Sequence, residues 1–233
     1  KKEFSKAFCK QQKVKFVKTQ NVEYKNKQFI VTTDKGKVKG DGLLVATGIK
    51  PKTDNLGLEN TNIKTNRGFI KVNKYLETSV KNVFALGDCV GNFMFRHSVN
   101  FEGEYLFDSL KKKKPIKYPP MPHAVFTHPE IGSVGMTEQQ LIDKKIPYYV
   151  GMNKYISSAM GMARVSNYGL VKLIFHKKTN KLIGAHIVGE EASNMIHQLI
   201  YAMTFNATRD DLLKMIYIHP ALPEIVRNAV RNT

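Results

Sequence analysis

The chain has 233 residues, 42% hydrophobic and 24% charged, which suits one large packed domain or two smaller ones and excludes disorder or low complexity across the whole. Lysine and arginine number 37 against 19 acidic residues, a net charge of +18. Yet 31 of those cations are lysines, scattered apart from Lys111–Lys114, so the charge reads as a solvated surface and not as a nucleic-acid face. No apolar run approaches the roughly 20 residues that span a bilayer. No signal core follows Lys1-Lys2-Glu3-Phe4, and two distant cysteines, Cys9 and Cys89, give no disulfide framework and no cysteine-based zinc site, so a reducing, cytoplasmic setting is expected.

Residues 3–12 read as the end of a helix, with Phe4, Ala7 and Phe8 on one stripe. Short β-rich runs follow at Val14–Val17, Val22–Tyr24 and Phe29–Thr32, and Asp34-Lys35-Gly36 is a tight turn signal, so a β-meander is expected over 13–40. Leu43-Leu44-Val45-Ala46 is a continuous apolar run of the kind buried on both faces of a sheet, ended by Thr47-Gly48 and Pro51. Val83-Phe84-Ala85-Leu86 predicts a second buried strand, ending at Gly87-Asp88, and residues 97–110 predict a helix. Lys111–Lys114, Pro115 and Pro119-Pro120 mark a linker and the best domain boundary.

Beyond it, Thr137 caps a helix running to about Lys144. Gly169–Phe175 and Lys181–Val188 predict two strands joined by the hairpin Lys177–Asn180. Helices are expected at 190–206, 208–216 and 221–231, the last two separated by His219-Pro220.

Two constellations carry chemistry. Gly87-Asp88 lies at the carboxyl end of an expected strand, where a carboxylate can accept hydrogen bonds from a ribose or ribitol and the glycine lets the chain turn; a plain turn-capping role stands beside that reading. In His219-Pro220-Ala221-Leu222-Pro223-Glu224 the carboxylate can fold back onto one imidazole nitrogen. It would fix the tautomer and raise the basicity of the other nitrogen, as a general base requires; an ordinary satisfied histidine is the alternative. The other six histidines have no metal-ligand spacing, so no metal site is expected, and no GxGxxG, GxxxxGK[ST] or GxSxG occurs.

Thr47-Gly48 with Pro51, Gly87-Asp88, Phe126-Thr127-His128-Pro129-Glu130-Ile131-Gly132 followed by Val134-Gly135, and His219-Pro220 with Glu224 occur in one order. Together they resemble the second half of the pyridine nucleotide–disulfide oxidoreductases, flavoproteins that include dihydrolipoamide dehydrogenase, glutathione reductase and mercuric reductase. The resemblance implies an α/β plus α+β chain: residues 1–48 as the tail of an NAD(P)-binding domain, 49–118 as a returning FAD-binding segment, and 119–233 as a C-terminal dimerisation domain with an antiparallel sheet and helices. It implies FAD with NAD or NADP, a homodimer, and a small-molecule or protein-bound disulfide as substrate; no nucleic acid and no membrane are expected, from the scattered lysines and the lack of a spanning run.

By resemblance, Gly48, Gly87, Asp88, Met94, Phe95, Arg96 and His97 lie on the flavin. His219 and Glu224 form the acid–base pair that serves the partner subunit's thiols, with the imidazole expected to be buried. Phosphate loops and the redox CxxxxC would lie upstream of Lys1, so the chain reads as a C-terminal portion that is inactive alone; the alternative for the isolated chain is a non-catalytic dimerisation module. Arg96-His97-Ser98-Val99 departs from the Ala-His-Lys-Ala of lipoamide dehydrogenases, and Leu222-Pro223 from their frequent Leu-Ser. Cys89 is expected to pack beside the flavin and takes no part in the redox pair.

Overall fold

Phe4, Ala7 and Phe8 do fall on one stripe of the first helix, α1 (Lys2–Gln11), where the two rings stack at 5.4 Å and Ala7 is fully buried. The computed structural model describes residues 2–11, 14–110 and 114–233. Its contacts divide the chain into Lys1–Gln12 with Lys117–Thr233 on one side and Lys13–Ile116 on the other. Among the described residues every strand pairing is antiparallel.

The 13–116 unit begins with the expected meander: β1 (Thr19–Lys25), β2 (Gln28–Thr33) and β3 (Gly36–Gly40), in the order β1-β2-β3. Asn26 and Lys27 join the first two strands with both φ angles positive, 51° and 63°, the two-residue geometry whose twist matches flanking strands. Thr33 pins the second turn: its hydroxyl donates to the Gly36 carbonyl at 2.7 Å and accepts the Lys35 N–H at 3.1 Å. Val14–Val17 forms no strand, because β1 opens only at Thr19.

Two expected strands fail here. Leu43–Ala46 is irregular, with Leu44 89% and Val45 71% exposed. An apolar run becomes a buried strand only if neighbours take its N–H and C=O groups, and no described strand pairs with it. Val83–Leu86 reduces to one antiparallel bridge, Glu77 to Phe84, with Ala85 its only buried residue. A short 3-10 turn (Leu58–Asn60) and the two-residue pair β4 (Thr65–Asn66) and β5 (Phe69–Ile70) lie between, and a second 3-10 turn (Gly87–Cys89) precedes α2 (Arg96–Ser109). The expected linker falls partly on residues 111–113, which lie outside the described residues.

The 117–233 unit is built on a five-stranded sheet of β6 (His123–Val125), β7 (Ile131–Gly135), β8 (Tyr148–Lys154), β9 (Leu170–His176) and β10 (Leu182–Val188), in the order β6-β7-β10-β9-β8. The helices, in chain order, are α3 (Glu138–Asp143), α4 (Ala159–Ala163), α5 (Ala192–Thr204), α6 (Arg209–Lys214) and α7 (Glu224–Arg231). Strands β9 and β10 are the predicted hairpin; β6, β7 and β8 were not anticipated. Thr137 and Gln140 close a reciprocal capping box on α3, and Thr208 with Asp211 does the same on α6.

Alternation places Val171, Leu173 and Phe175 of β9 with Ala185 and Ile187 of β10 on one face, packed with Met195 and Leu199 of α5 and Ile225, Ala229 and Val230 of α7. Gly151 admits α7 against β8: a Cβ there would lie 2.1 Å from the Ala229 carbonyl oxygen. The intervening positions form a polar row across the other face, His123, Ser133, His186 and Lys172, paired strand to strand. In that row His186 Nδ1 and Ser133 Oγ are 2.5 Å apart, His186 Nε2 lies 3.1 Å from the Met136 carbonyl, and Lys172 pairs with Glu138.

Candidate functional site

His219 and Glu224 are brought together as the spacing suggested. The His219–Pro220 peptide is cis, and helix α7 opens at Glu224, three residues later than predicted, because Ala221–Pro223 are used in the turn before it. The Glu224 side chain is 4% exposed. His219 Nδ1 sits 2.9 Å from Oε2 and 3.1 Å from Oε1; the Ala221 N–H donates to Oε2 at 3.2 Å, and Arg227 Nη2 donates to Oε1 at 2.9 Å. Burial pushes this carboxyl upward, but the Ala221 N–H, the His219 imidazole and the Arg227 charge outweigh it and hold the group below the usual carboxylate range.

An ionised carboxylate only accepts, so Nδ1 carries the hydrogen and Nε2 is the free basic nitrogen. The imidazole itself is not buried, as expected from resemblance, but 68% exposed; the buried member of the pair is the carboxylate. The physical reason is local: α7 packs its first turn into the core and carries Glu224 inward, while the segment before it runs along the surface, with Ile216 97% exposed.

Sequence reasoning missed Arg227. It lies one helical turn after Glu224, with its guanidinium 6.0 Å from the Tyr217 ring centroid, and its Nε is buried without a hydrogen-bond partner. An arginine at i+3 from an acid on a helix was the available signal.

The second group of candidates belongs to the other unit. Gly48 sits exposed in an irregular stretch at φ +128°. Gly87 is buried at φ +79° and opens the 3-10 turn, with Asp88 exposed beside it. Met94, Arg96 and His97 are exposed, Phe95 is the residue preceding α2, and the Phe95 and His97 rings stack at 5.1 Å. Cys89 donates to the Leu86 carbonyl at 3.2 Å, and burial pushes its thiol up, away from the reactive thiolate.

These residues suit a flavin by the chemistry of their groups. Asp88 offers an exposed carboxylate to hydroxyls on a turn that follows a buried backbone. The start of α2 has no side-chain cap at Phe95, and the positive end of a helix dipole there suits an electron-rich ring edge. Gly87 is held by a residue that the sequence did not single out: its N–H donates to Oε2 of Glu102 at 2.6 Å. Among the described residues, no three histidine, cysteine, aspartate or glutamate side chains group as a metal site. No described helix is long and apolar enough to cross a membrane.

The family described as pyridine nucleotide-disulphide oxidoreductase, dimerisation domain, matches residues 121–230, and pyridine nucleotide-disulphide oxidoreductase matches residues 2–103. The chain belongs to the pyridine nucleotide–disulfide oxidoreductase family. It is 35% identical over 191 residues to the mitochondrial dihydrolipoyl dehydrogenase of Canis lupus familiaris, an alignment covering 81% of this chain and 38% of that protein. It is 36% identical over 201 residues to mycothione reductase of Mycobacterium tuberculosis, covering 83% and 44% respectively. Among solved structures, a Cu(II) complex of the HOCl-induced flavoprotein disulfide reductase RclA of Escherichia coli matches with a TM-score of 0.85 at 27% identity, over 92% of this chain and 50% of that one. LpdA of Mycobacterium tuberculosis matches with a TM-score of 0.81 at 26% identity, over 92% and 48%. The chain therefore spans about two fifths of the length of these sequence relatives and about half of the structural ones. Both family descriptions agree with the fold class read from the motifs, an end of a nucleotide-binding domain followed by a dimerisation domain.

Proposed function

We propose that the chain is the C-terminal part of an FAD-dependent NAD(P)H:disulfide oxidoreductase of the dihydrolipoamide dehydrogenase type. It would work as a homodimer on a small-molecule or protein-bound disulfide, in the reducing cytoplasmic setting that suits two unpaired thiols. The domain limits proposed are 1–48, 49–118 and 119–233, for nicotinamide, flavin and dimerisation functions. The observation that carries the reading is the pair at the chain's end: a buried carboxylate fixes Nδ1 of an exposed imidazole, so Nε2 is free to exchange protons with a group on another molecule.

When bound, the flavin supplies the passage of an electron pair between NAD(P)H and a disulfide. Asp88 would hold its hydroxylated chain, with Gly48, Gly87, Met94, Phe95, Arg96 and His97 lining the approach. His219 handles protons. Nε2 takes the proton of a thiol, so that the thiolate can attack a disulfide sulfur: one S–S bond breaks as another forms, and the leaving thiolate takes the proton back. Glu224 stabilises the imidazolium formed in between, and Arg227 and the Ala221 N–H keep Glu224 ionised.

The test is His219→Gln in the complete polypeptide that carries this chain. Thiol–disulfide exchange should slow by roughly 10²–10⁴-fold with flavin retained; unchanged turnover would assign the ring a structural role. Glu224→Gln should cost less, since the imidazole survives.

A second reading applies to the chain by itself, as a non-catalytic dimerising module. Tyr201 on α5, Phe205 just after it, and Ile216 and Ile218 beyond α6 are large exposed apolar residues, of the kind a second copy covers. Size-exclusion chromatography of the isolated chain separates the readings: a colourless dimer supports the module, a yellow one a flavin site intact without more sequence.

A further inference from the structure

Glu102 on α2 is fully buried, with no exposed surface, in the unit that covers its apolar side chains least. A carboxylate is costly to bury, and a methyl-bearing side chain would fill the same space more cheaply unless the oxygens do something a methyl cannot. Here Oε2 accepts the Gly87 N–H at 2.6 Å, across 15 residues of sequence. One helical turn earlier, Val99 packs against the same glycine: a Cβ on Gly87 would lie 3.1 Å from Val99 Cγ2. Two residues at i and i+3 of one helix thus grip a single peptide, Val99 by contact and Glu102 by its acceptor oxygen.

That peptide leads directly into Asp88. Gly87 stands at φ +79°, a conformation that side-chain-bearing residues avoid, and the turn it opens is a single one, closed by the Val90 N–H on the Gly87 carbonyl at 2.9 Å. A lone 3-10 turn has little hold on its own direction.

We propose that Glu102 is a positioning residue for the flavin: by holding the Gly87 N–H, it presents the Asp88 carboxylate to the hydroxylated chain of the cofactor. The inference rests on the reading of Asp88 as a flavin contact, and the experiment separates the two. In the complete polypeptide carrying this chain, flavin affinity is measured by fluorescence titration of the apoprotein for Asp88→Ala, Glu102→Met, Glu102→Gln and the double variant Asp88→Ala/Glu102→Met. Methionine keeps the length and volume and loses the acceptor; glutamine keeps an acceptor oxygen and loses the charge.

Asp88→Ala and Glu102→Met should each weaken binding about tenfold or more, as expected for a hydrogen bond involving a charged group. The double variant should be no weaker than the worse single one, because Glu102 acts only through Asp88, and Glu102→Gln should stay within about threefold of the unaltered protein. Losses that add in full, or a glutamine variant as weak as Asp88→Ala, would overturn the positioning role while leaving Asp88 on the flavin. Unchanged affinity in Asp88→Ala would overturn the flavin reading of the turn, and the inference with it. Should Glu102→Met not fold, Glu102→Leu takes its place, and unchanged affinity in whichever folds would overturn the positioning role.

Discussion

The two units of this chain contain similar apolar sequence and treat it differently. In 117–233, Phe175, Leu173, Ile187, Leu199 and Ile225 lose all exposure between one sheet face and the helices α5 and α7. In 13–116 the buried apolar side chains are Ile70, Leu76 and Ala85, while Leu43, Leu44 and Val45 stay exposed. The difference teaches that an apolar run states a need for cover and does not say where the cover comes from. The C-terminal unit carries both the strands and the helices that close over them; the other carries strands, turns and helix α2, and among the described residues none covers Leu44 and Val45. The proposed chemistry follows the same division. His219 and Glu224 stand on the self-sufficient unit, and Asp88 on the one with its apolar run open.

The comparison can be broken most directly by paired truncations in this chain. Phe175→Ala should lower unfolding stability by about 3–5 kcal/mol, whereas Leu44→Ala should change it by no more than about 0.5 kcal/mol, both measured by chemical denaturation. Equal losses would mean that Leu44 is packed after all. A second test sharpens how tightly the C-terminal unit is closed. Gly151→Ala forces a methyl toward the Ala229 carbonyl, and displacement of α7 from β8 should cost about 1–3 kcal/mol in the same assay. Because Glu224 opens α7, that variant should also broaden or shift the His219 ring signals in NMR spectra, a link that an independent α7 would not give.

The smallest expected effect concerns acid. Burial is the main cause that holds the His186 imidazole below its ordinary range; Lys172 and His123 push the same way, against the Met136 carbonyl and Glu138. A folded value lower than the unfolded one means that the unfolded chain binds the proton first. The stability from keeping His186 neutral is therefore present above the unfolded value near 6.5 and is lost as pH falls through it toward the folded value. Denaturation midpoints should decline between about pH 7 and pH 5, and His186→Gln should flatten that decline; an unaltered slope would place its origin elsewhere.

Several features were legible in the residues before any fold was known. The β9–β10 hairpin followed from two β-rich runs around Lys177–Asn180, the α3 start from Thr137, and the meander from Asp34-Lys35-Gly36, since each depends on interactions within a few residues. The His219–Glu224 pairing was also local, a carboxylate five residues away across a proline. Arg227 was visible in principle through its i+3 spacing. Glu102 gave no such sign, because its partner Gly87 is 15 residues away and only the packing of α2 beside the turn brings them together.

By itself, the order of residues determined the Asp34-Lys35-Gly36 turn, the Thr137 cap, the family motifs and the His219–Glu224 contact, all set by short-range sterics and hydrogen bonding. Tertiary structure alone decided that Leu43–Ala46 pairs with no described strand, that Glu224 and not His219 is the buried member of its pair, and that Glu102 accepts from Gly87. Burial and long-range hydrogen bonds depend on which distant elements meet, and no local pattern records that.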